Sequence, residues 1–236
     1  MTTSTSAPQR LYLMQVAHLP VSPADFPFVC YLVQTGDGKN ILIDSGPPTH
    51  FKPNAAFKLP DPIMEKNVIE QLALLGLQPG DIDTLICSHF DQDHSGHHSA
   101  FTNAELARSS DHMRFTTTRS EWDHPALRYR LIDGDTELYP GLELIKTSGH
   151  TPGHQSVLVR LSETGPVLLA IDAVASQKDF TPDRQKNPVA DDNEEELRAS
   201  TRKLLALVER EQVALVIFGH DGEQWQTLKK APDFYS

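Results

Sequence analysis

The chain has 236 residues, 39% of them hydrophobic, and 21 lysines and arginines against 32 aspartates and glutamates, for a formal net charge of −11. That length suits one large domain, or two small ones, with a real core. The acidic balance, with no basic block, argues against sequence-independent binding to nucleic acid or to anionic membranes. No run is long and apolar enough to span a bilayer. The polar start, Met1-Thr2-Thr3-Ser4-Thr5-Ser6-Ala7-Pro8, lacks the charged and apolar regions of a signal peptide. Cys30 and Cys87 each lie in a strand-like run and read as buried, reduced thiols. Together these features point to the cytoplasm.

Taken in chain order, residues 11–17, 28–35 and 41–44 read as strands, with a hairpin signal, Gly36-Asp37-Gly38-Lys39-Asn40, between the last two. Residues 47–62 are loop-like, with proline and phenylalanine interleaved. The periodicity predicts a helix over 63–76 that stops at glycine. A strand over 83–87 follows, then strand-like pieces at 129–132, 142–146, 156–161 and 167–171. Residues 192–210 form an amphipathic helix with acidic residues in its first turn, where the helix dipole favours them. A last strand, 213–218, ends at Gly219-His220-Asp221. The order is mostly strands with helices inserted, which suggests two sheets packed between helices rather than a regular βαβ alternation.

The chemistry concentrates in Ser88-His89-Phe90-Asp91-Gln92-Asp93-His94-Ser95-Gly96, where two histidines and two aspartates fall within six residues at the end of an apolar strand. Such a cluster is costly unless something positive sits among the side chains. A divalent metal is the simplest answer, because imidazole and carboxylate both donate lone pairs to one. Three more positions share one placement, a metal donor just after an apolar strand: His150, Asp172 and His220. A lone histidine there is usually a surface residue. The repetition of the pattern is what favours convergence of these strand ends at one edge of a sandwich.

On these motifs the chain resembles the metallo-β-lactamase-fold hydrolases over nearly its whole length from Leu11 onward. Within them it is most similar to the N-acyl-homoserine lactonase group. The closer match is carried by Ile43-Asp44-Ser45-Gly46, by Gly149-His150-Thr151-Pro152-Gly153-His154-Gln155-Ser156 and by Phe218-Gly219-His220-Asp221-Gly222-Glu223-Gln224; Pro140-Gly141-Leu142-Glu143-Leu144 also fits. The resemblance implies an α/β fold, an αββα sandwich of two mixed β-sheets flanked by helices. It also implies a single hydrolase domain over 11–236 after a disordered tail, 1–10. Two metal sites are implied: His89, Asp91 and His150 for one, Asp93, His94 and His220 for the other, with Asp172 and a hydroxide bridging them. Asp44 would buttress the site, and His154 would orient a loop by hydrogen bonding rather than ligate.

The two divalent ions expected are zinc. The family's usual pattern, however, is His-x-His-x-Asp-His, and Asp91 stands at its second histidine. With three carboxylates and a bridging hydroxide, two divalent ions make a neutral centre, less positive than with histidine there. The extra carboxylate also makes iron or manganese plausible. Ala175 stands where the well-known lactonases carry a tyrosine, so another donor or the metals alone must stabilise an oxyanion. His97 replaces a usual glycine and either faces the cleft or is solvated.

The expected activity is hydrolysis of a lactone or related carboxylic ester. The bridging hydroxide would attack the carbonyl, and the resemblance implies that Asp93, the catalytic candidate, relays a proton to the leaving alkoxide. No serine or cysteine nucleophile is needed. Phe26, Pro27, Phe28, Phe51, Phe57, Leu59, Ile63 and Met64 either wall an apolar acyl site or simply pack their loops. Trp122 and His124 are candidates for another side, and Lys178 and Arg184 are candidate cations for a phosphate or plain surface residues. The partner is a small-molecule substrate, with no nucleic acid and no membrane; oligomeric state is not legible. The alternatives are hydrolysis of a thioester, β-lactam or phosphodiester, and a non-catalytic small-molecule sensor. A di-iron flavoprotein oxidoreductase has no room for its added flavodoxin-like domain.

Overall fold

The computed structural model describes residues 6–111 and 126–236. Runs of branched apolar residues build two sheets. In the first, β1 (Pro8–Leu19), β2 (Phe26–Thr35) and β3 (Asn40–Ile43) form an antiparallel meander. The short β4 (Ile63–Met64) pairs with the outer side of β1. On the other side, β5 (Thr84–Cys87), β6 (Glu105–Ser109) and β7 (Arg128–Ile132) add in parallel, giving the order β4-β1-β2-β3-β5-β6-β7. The second sheet comprises β8 (Thr136–Tyr139), β9 (Leu142–Lys146), β10 (Gln155–Leu161), β11 (Gly165–Ile171) and β12 (Leu215–Phe218), in the order β12-β11-β10-β9-β8. Only β11 and β12 pair in parallel there, so both sheets are mixed. The α-helices among the described residues are α1 (Val68–Leu74), α2 (Gln92–Ser95), α3 (Glu194–Glu211) and α4 (Gly222–Trp225).

The two-residue period of the strands sorts their side chains into three apolar layers. Leu13, Val29, Tyr31 and Ile86 of the first sheet meet Leu144, Val157, Val159 and Leu169 of the second between the sheets. Their strand neighbours Met14, Cys30, Leu32 and Leu85 point the other way and pack with Val68 and Leu72 of α1. On the far side, Leu158, Leu168 and Ala170 pack with Leu204 and Leu207 of α3. The result is the αββα sandwich. Each such buried aliphatic side chain contributes about 1.5–3 kcal/mol to holding the layers together.

Several sequence expectations shift. The helix expected over 63–76 begins only at Val68, because the Asn67 side chain accepts from the backbone of Ile69 and Glu70 while the Glu70 carboxylate accepts from Asn67 N. Upstream, Ile63 and Met64 pair with His18 and Ala17 instead. β1 starts at Pro8, so residues 8–10, read as part of a tail, are strand. β6 and β8 escaped notice because their short sequences carry Glu105, Arg108, Thr136 and Glu137 rather than an apolar run. Asp44, read as a strand end, lies just past β3 in the left-handed region at φ 60°. Trp122 and His124 lie outside the described residues.

Candidate metal centre

The first sheet supplies one contiguous set of donors. β5 ends at Cys87, and the chain then passes through His89 and Asp91 into the single turn of α2, which sets Asp93 and His94 side by side. Asp44, fully buried beyond the neighbouring strand, holds this turn in place. Its Oδ1 accepts from Ser88 N at 2.8 Å, and its Oδ2 accepts from Ser88 Oγ at 2.7 Å and from His94 Nδ1 at 2.9 Å. Ser88 Oγ lies 3.0 Å from His89 Nδ1, so the same carboxylate orients both rings, one directly and one through a hydroxyl. Gly96 is required just beyond: a Cβ there would lie 2.2 Å from Pro48 N.

The second sheet supplies three donors from three separate turns. His150 sits between β9 and β10 and donates through Nδ1 to Asp191 Oδ1 at 3.0 Å. Asp172 follows β11. The preceding Ile171 sits at φ 53°, a costly conformation (about 1–3 kcal/mol) for a β-branched residue, at a register shift between β11 and β12. That kink turns Asp172 away from the sheet toward the histidines. His220 follows β12 and donates through Nδ1 to the Pro27 carbonyl at 2.8 Å, its ring stacked on Phe26 at 4.0 Å and 11°. Gly219 permits this approach, since a Cβ would meet Ile171 O at 2.6 Å and Asp172 Oδ1 at 2.8 Å.

Each of the four histidines therefore spends Nδ1 on an outward partner and turns Nε2 inward. Asp93, His94, Asp172 and His220 offer ligand atoms within 4.8 Å of one another, and so do His89, His150 and Asp172. Asp172 belongs to both groups. Its Oδ1 is 3.4 Å from His94 Nε2, and its Oδ2 is 3.5 Å from His150 Nε2 and 3.8 Å from His89 Nε2. Asp93 Oδ2 lies 3.6 Å from His94 Nε2 and 3.9 Å from His220 Nε2. Asp91 stands at the rim: its Oδ2 is 3.2 Å from His150 Nε2 and 3.7 Å from His89 Nε2, but its side chain is 48% exposed.

Three atoms at the middle of this cluster, His89 Nε2, His94 Nε2 and Asp172 Oδ1, are buried with no hydrogen-bond partner. Buried polar atoms left unpaired are rare and costly. Here they converge from both sheets on shared positions, with the nitrogen and oxygen donors that a divalent cation takes. The residues fit two ions sharing Asp172.

The titration behaviour agrees. Burial pushes the His89 imidazole well down, helped by His94 beside it. His94 is held well up, because Asp172 and Asp93 outweigh its burial. His150 is also raised, to about 10, since the hydrogen bonds to Asp191 and Asp91 outweigh burial. Burial lifts the Asp93 carboxyl, whereas His220 and His94 hold Asp172 well below the usual carboxylate range against its own burial. The carboxylates thus draw positive charge to His94 and His150 but not to His89, a role that cations among these groups would take over.

The remaining candidates lie outside the two groups that could hold an ion. His154 Nδ1 lies 2.8 Å from Thr147 Oγ1, and its Nε2 accepts from Asp172 N at 3.2 Å, so both ring nitrogens are engaged. His97 is half-buried, with Nδ1 3.2 Å from the Ser45 carbonyl. Phe28 packs edge-on against both Phe51 and His220, whereas Leu59, Ile63 and Met64 are exposed. Lys178 is exposed, and Arg184 is buried against Asp191. Asp191 went unread as a site residue because, next to Asp192 and Asn193, it looks like helix-capping sequence. A cavity of about 730 Å³ opens beside His220, lined also by Phe26, Ala175, Ser176, Lys178 and Asn187. No helix among the described residues is long and apolar enough to cross a membrane.

Comparison with known proteins agrees with this geometry. The family described as the metallo-beta-lactamase superfamily matches residues 25–220. An N-acyl homoserine lactonase from a Bacillus species is 34% identical over 223 residues, covering 89% of this chain and 87% of its own. The N-acyl homoserine lactonase AttM of Rhizobium radiobacter is 33% identical over 74% of this chain and 72% of its own. The crystal structure of a quorum-quenching N-acyl homoserine lactone lactonase superposes with a TM-score of 0.85 at 29% identity, covering 98% of this chain and 100% of that one.

Proposed function

We propose that this chain, which belongs to the metallo-beta-lactamase superfamily, opens the ester bond of a lactone ring, with N-acyl homoserine lactones as the leading substrate class. It is a metal-dependent hydrolase. The observation that carries this reading is the inward convergence of Nε2 from four histidines on the shared Asp172, in a chain whose relatives are N-acyl homoserine lactonases. When bound, two divalent ions there would acidify a water molecule and polarise the ester carbonyl. Zinc is the first ion to try. The open carboxylate of Asp91 also suits iron or manganese.

The protein's own groups set the rest of the reaction. Asp44, Asp191 and the Pro27 carbonyl keep the imidazoles aimed inward, so no reorganisation is needed when substrate arrives. Asp93, whose Oδ2 lies 3.6 Å from His94 Nε2 and 3.9 Å from His220 Nε2, is the carboxylate placed to take the proton released by the attacking water and pass it to the ring oxygen as that oxygen leaves. Phe26 and Phe28 form an apolar flank beside His220. Neither cysteine is a nucleophile: burial, aided by the Asp44 carboxylate, pushes both thiols well up. Ser88 is committed to Asp44. We take residues 8–236 as one hydrolase domain, because β1 starts at Pro8 and, among the described residues, one inter-sheet core draws on residues from Leu11 to Leu228. The two buried thiols suit a reducing compartment such as the cytoplasm.

Ala175 gives a specific reason to widen the substrate panel. It lines the cavity beside His220 with a methyl group and supplies no hydroxyl to a developing oxyanion. The test is a panel on the metal-loaded chain: N-acyl homoserine lactones of several lengths, simple γ-lactones, a thioester, a β-lactam and a phosphodiester, followed by proton release. Ring opening of lactones is expected. Intact lactones beside cleavage of another bond would replace the reading, and no cleavage of any activated ester would favour a sensor.

A further inference from the structure

A buried arginine stands behind the metal centre. Arg184 is only 7% exposed, although it lies in a polar, irregular segment ahead of α3. Its guanidinium divides its contacts. Nη1 donates to the Ala173 carbonyl, next to Asp172 in sequence, while Nη2 lies 3.7 Å from Asp191 Oδ2. The other Asp191 oxygen, Oδ1, accepts from His150 Nδ1 at 3.0 Å, and Asp191 Oδ2 also accepts from Asn187 N at 2.7 Å. The segment is fixed at both ends: Arg198 Nε of α3 donates to the Arg184 carbonyl at 2.9 Å, and Asp192 N donates to the His150 carbonyl at 3.0 Å.

We propose that Arg184 is a positioning residue that acts through Asp191 on His150 and through the Ala173 carbonyl on Asp172, thereby setting the two second-sheet donors of the ion held by His89, His150 and Asp172. The inference rests on the two-ion reading but not on the identity of the substrate. A planar guanidinium can serve a carbonyl and a carboxylate in different directions at once; an ammonium is a point charge and cannot hold both in the same geometry. The Asp191 carboxylate fixes the tautomer and direction of the His150 ring, and loss of such an outer partner costs 10–100-fold in metal affinity in typical sites.

The experiment is stepwise cobalt(II) titration of the full chain, read by its visible spectrum, with His150→Ala and His220→Ala assigning the bands of each ion. Asp191→Asn keeps the shape and an acceptor for His150, so it guards against mere misfolding of Arg184→Met; Arg184→Lys keeps the charge alone. The expected result is that Asp191→Asn and Arg184→Met weaken the ion assigned by His150→Ala by about 10–100-fold and shift its bands more than those of the other ion. Arg184→Lys should restore only part of the loss. Equal weakening of both ions, or unchanged affinities with only a lower melting temperature, would overturn the proposal. A wild-type chain that binds two ions yet opens no lactone would sink the proposed function and leave this inference intact.

Discussion

The two sheets build the same centre in opposite ways. The first delivers His89, Asp91, Asp93 and His94 from one loop and one helical turn after β5, with Asp44 steadying His94 directly and His89 through Ser88. The second delivers His150, Asp172 and His220 from three turns, each with its own support: Asp191, the His154 ring and the Pro27 carbonyl. A contiguous set can share one buried carboxylate. A dispersed set needs a separate orienting contact for every donor, and it needs backbone devices, the left-handed Ile171 and the Cβ-free Gly219, to bring strand ends close enough. The first half is robust because it is local; the second is exposed to failure at several independent points.

The sharpest way to break the contrast is to remove the donor both groups share. Asp172→Ala is expected to lose both ions and at least about 10³-fold in hydrolysis, equivalent to roughly 4 kcal/mol of transition-state stabilisation. Elemental analysis and lactone turnover read both. Next comes the first sheet's single support. Asp44→Ala strips an acceptor from Ser88 N, Ser88 Oγ and His94 Nδ1 together. Equilibrium competition with a chelator should show metal bound about 10–100-fold more weakly. Gly219→Ala probes the second sheet's dispersed construction. Its Cβ would press on Ile171 O, costing about 1–3 kcal/mol, a fall of several degrees in melting temperature by calorimetry.

Smaller effects test the dry floor beneath the motif. Cys30 in β2 and Cys87 in β5 have thiols raised by burial and by Asp44, so a thiol reagent at pH 8 should label neither in the native chain and both after unfolding. The sign of the linked stability follows. Above about pH 8.5 the unfolded chain loses thiol protons that the folded chain keeps, so stability should fall as pH rises through that range. Replacing both cysteines with alanine should flatten that part of a denaturation series. Smallest of all, His97→Ala should leave metal content unchanged and stability within about 0.5 kcal/mol, since its ring nitrogen meets only the Ser45 carbonyl.

The same contrast explains what the sequence disclosed. The His89–His94 cluster was plain in the chain because its donors are adjacent, and the sandwich was plain because long apolar runs such as 28–35 and 167–171 have few other uses. His150, Asp172 and His220 became visible only as a repeated placement after strands and through a family resemblance. Asp191 stayed hidden, and Arg184 stood out only as a candidate cation for a phosphate, not as the buried partner of Asp191. Nothing in Asp183-Arg184-Gln185-Lys186 marks one side chain as buried, since its burial depends on packing against α3 and the turn after β11. The start of α1 was misplaced for a related reason. Ile63 and Met64 satisfy a helical period, but the Asn67–Glu70 capping box and the free edge of β1 together decide the boundary.

A pair of cations sharing one aspartate between the two sheets would be located by anomalous diffraction from crystals of the metal-loaded chain. Two peaks about 3.5–4 Å apart, the spacing usual for two-metal hydrolases, should flank the Asp172 carboxylate, one against His89 and His150 and the other against His94 and His220. A single peak, or peaks that do not touch Asp172, would contradict it.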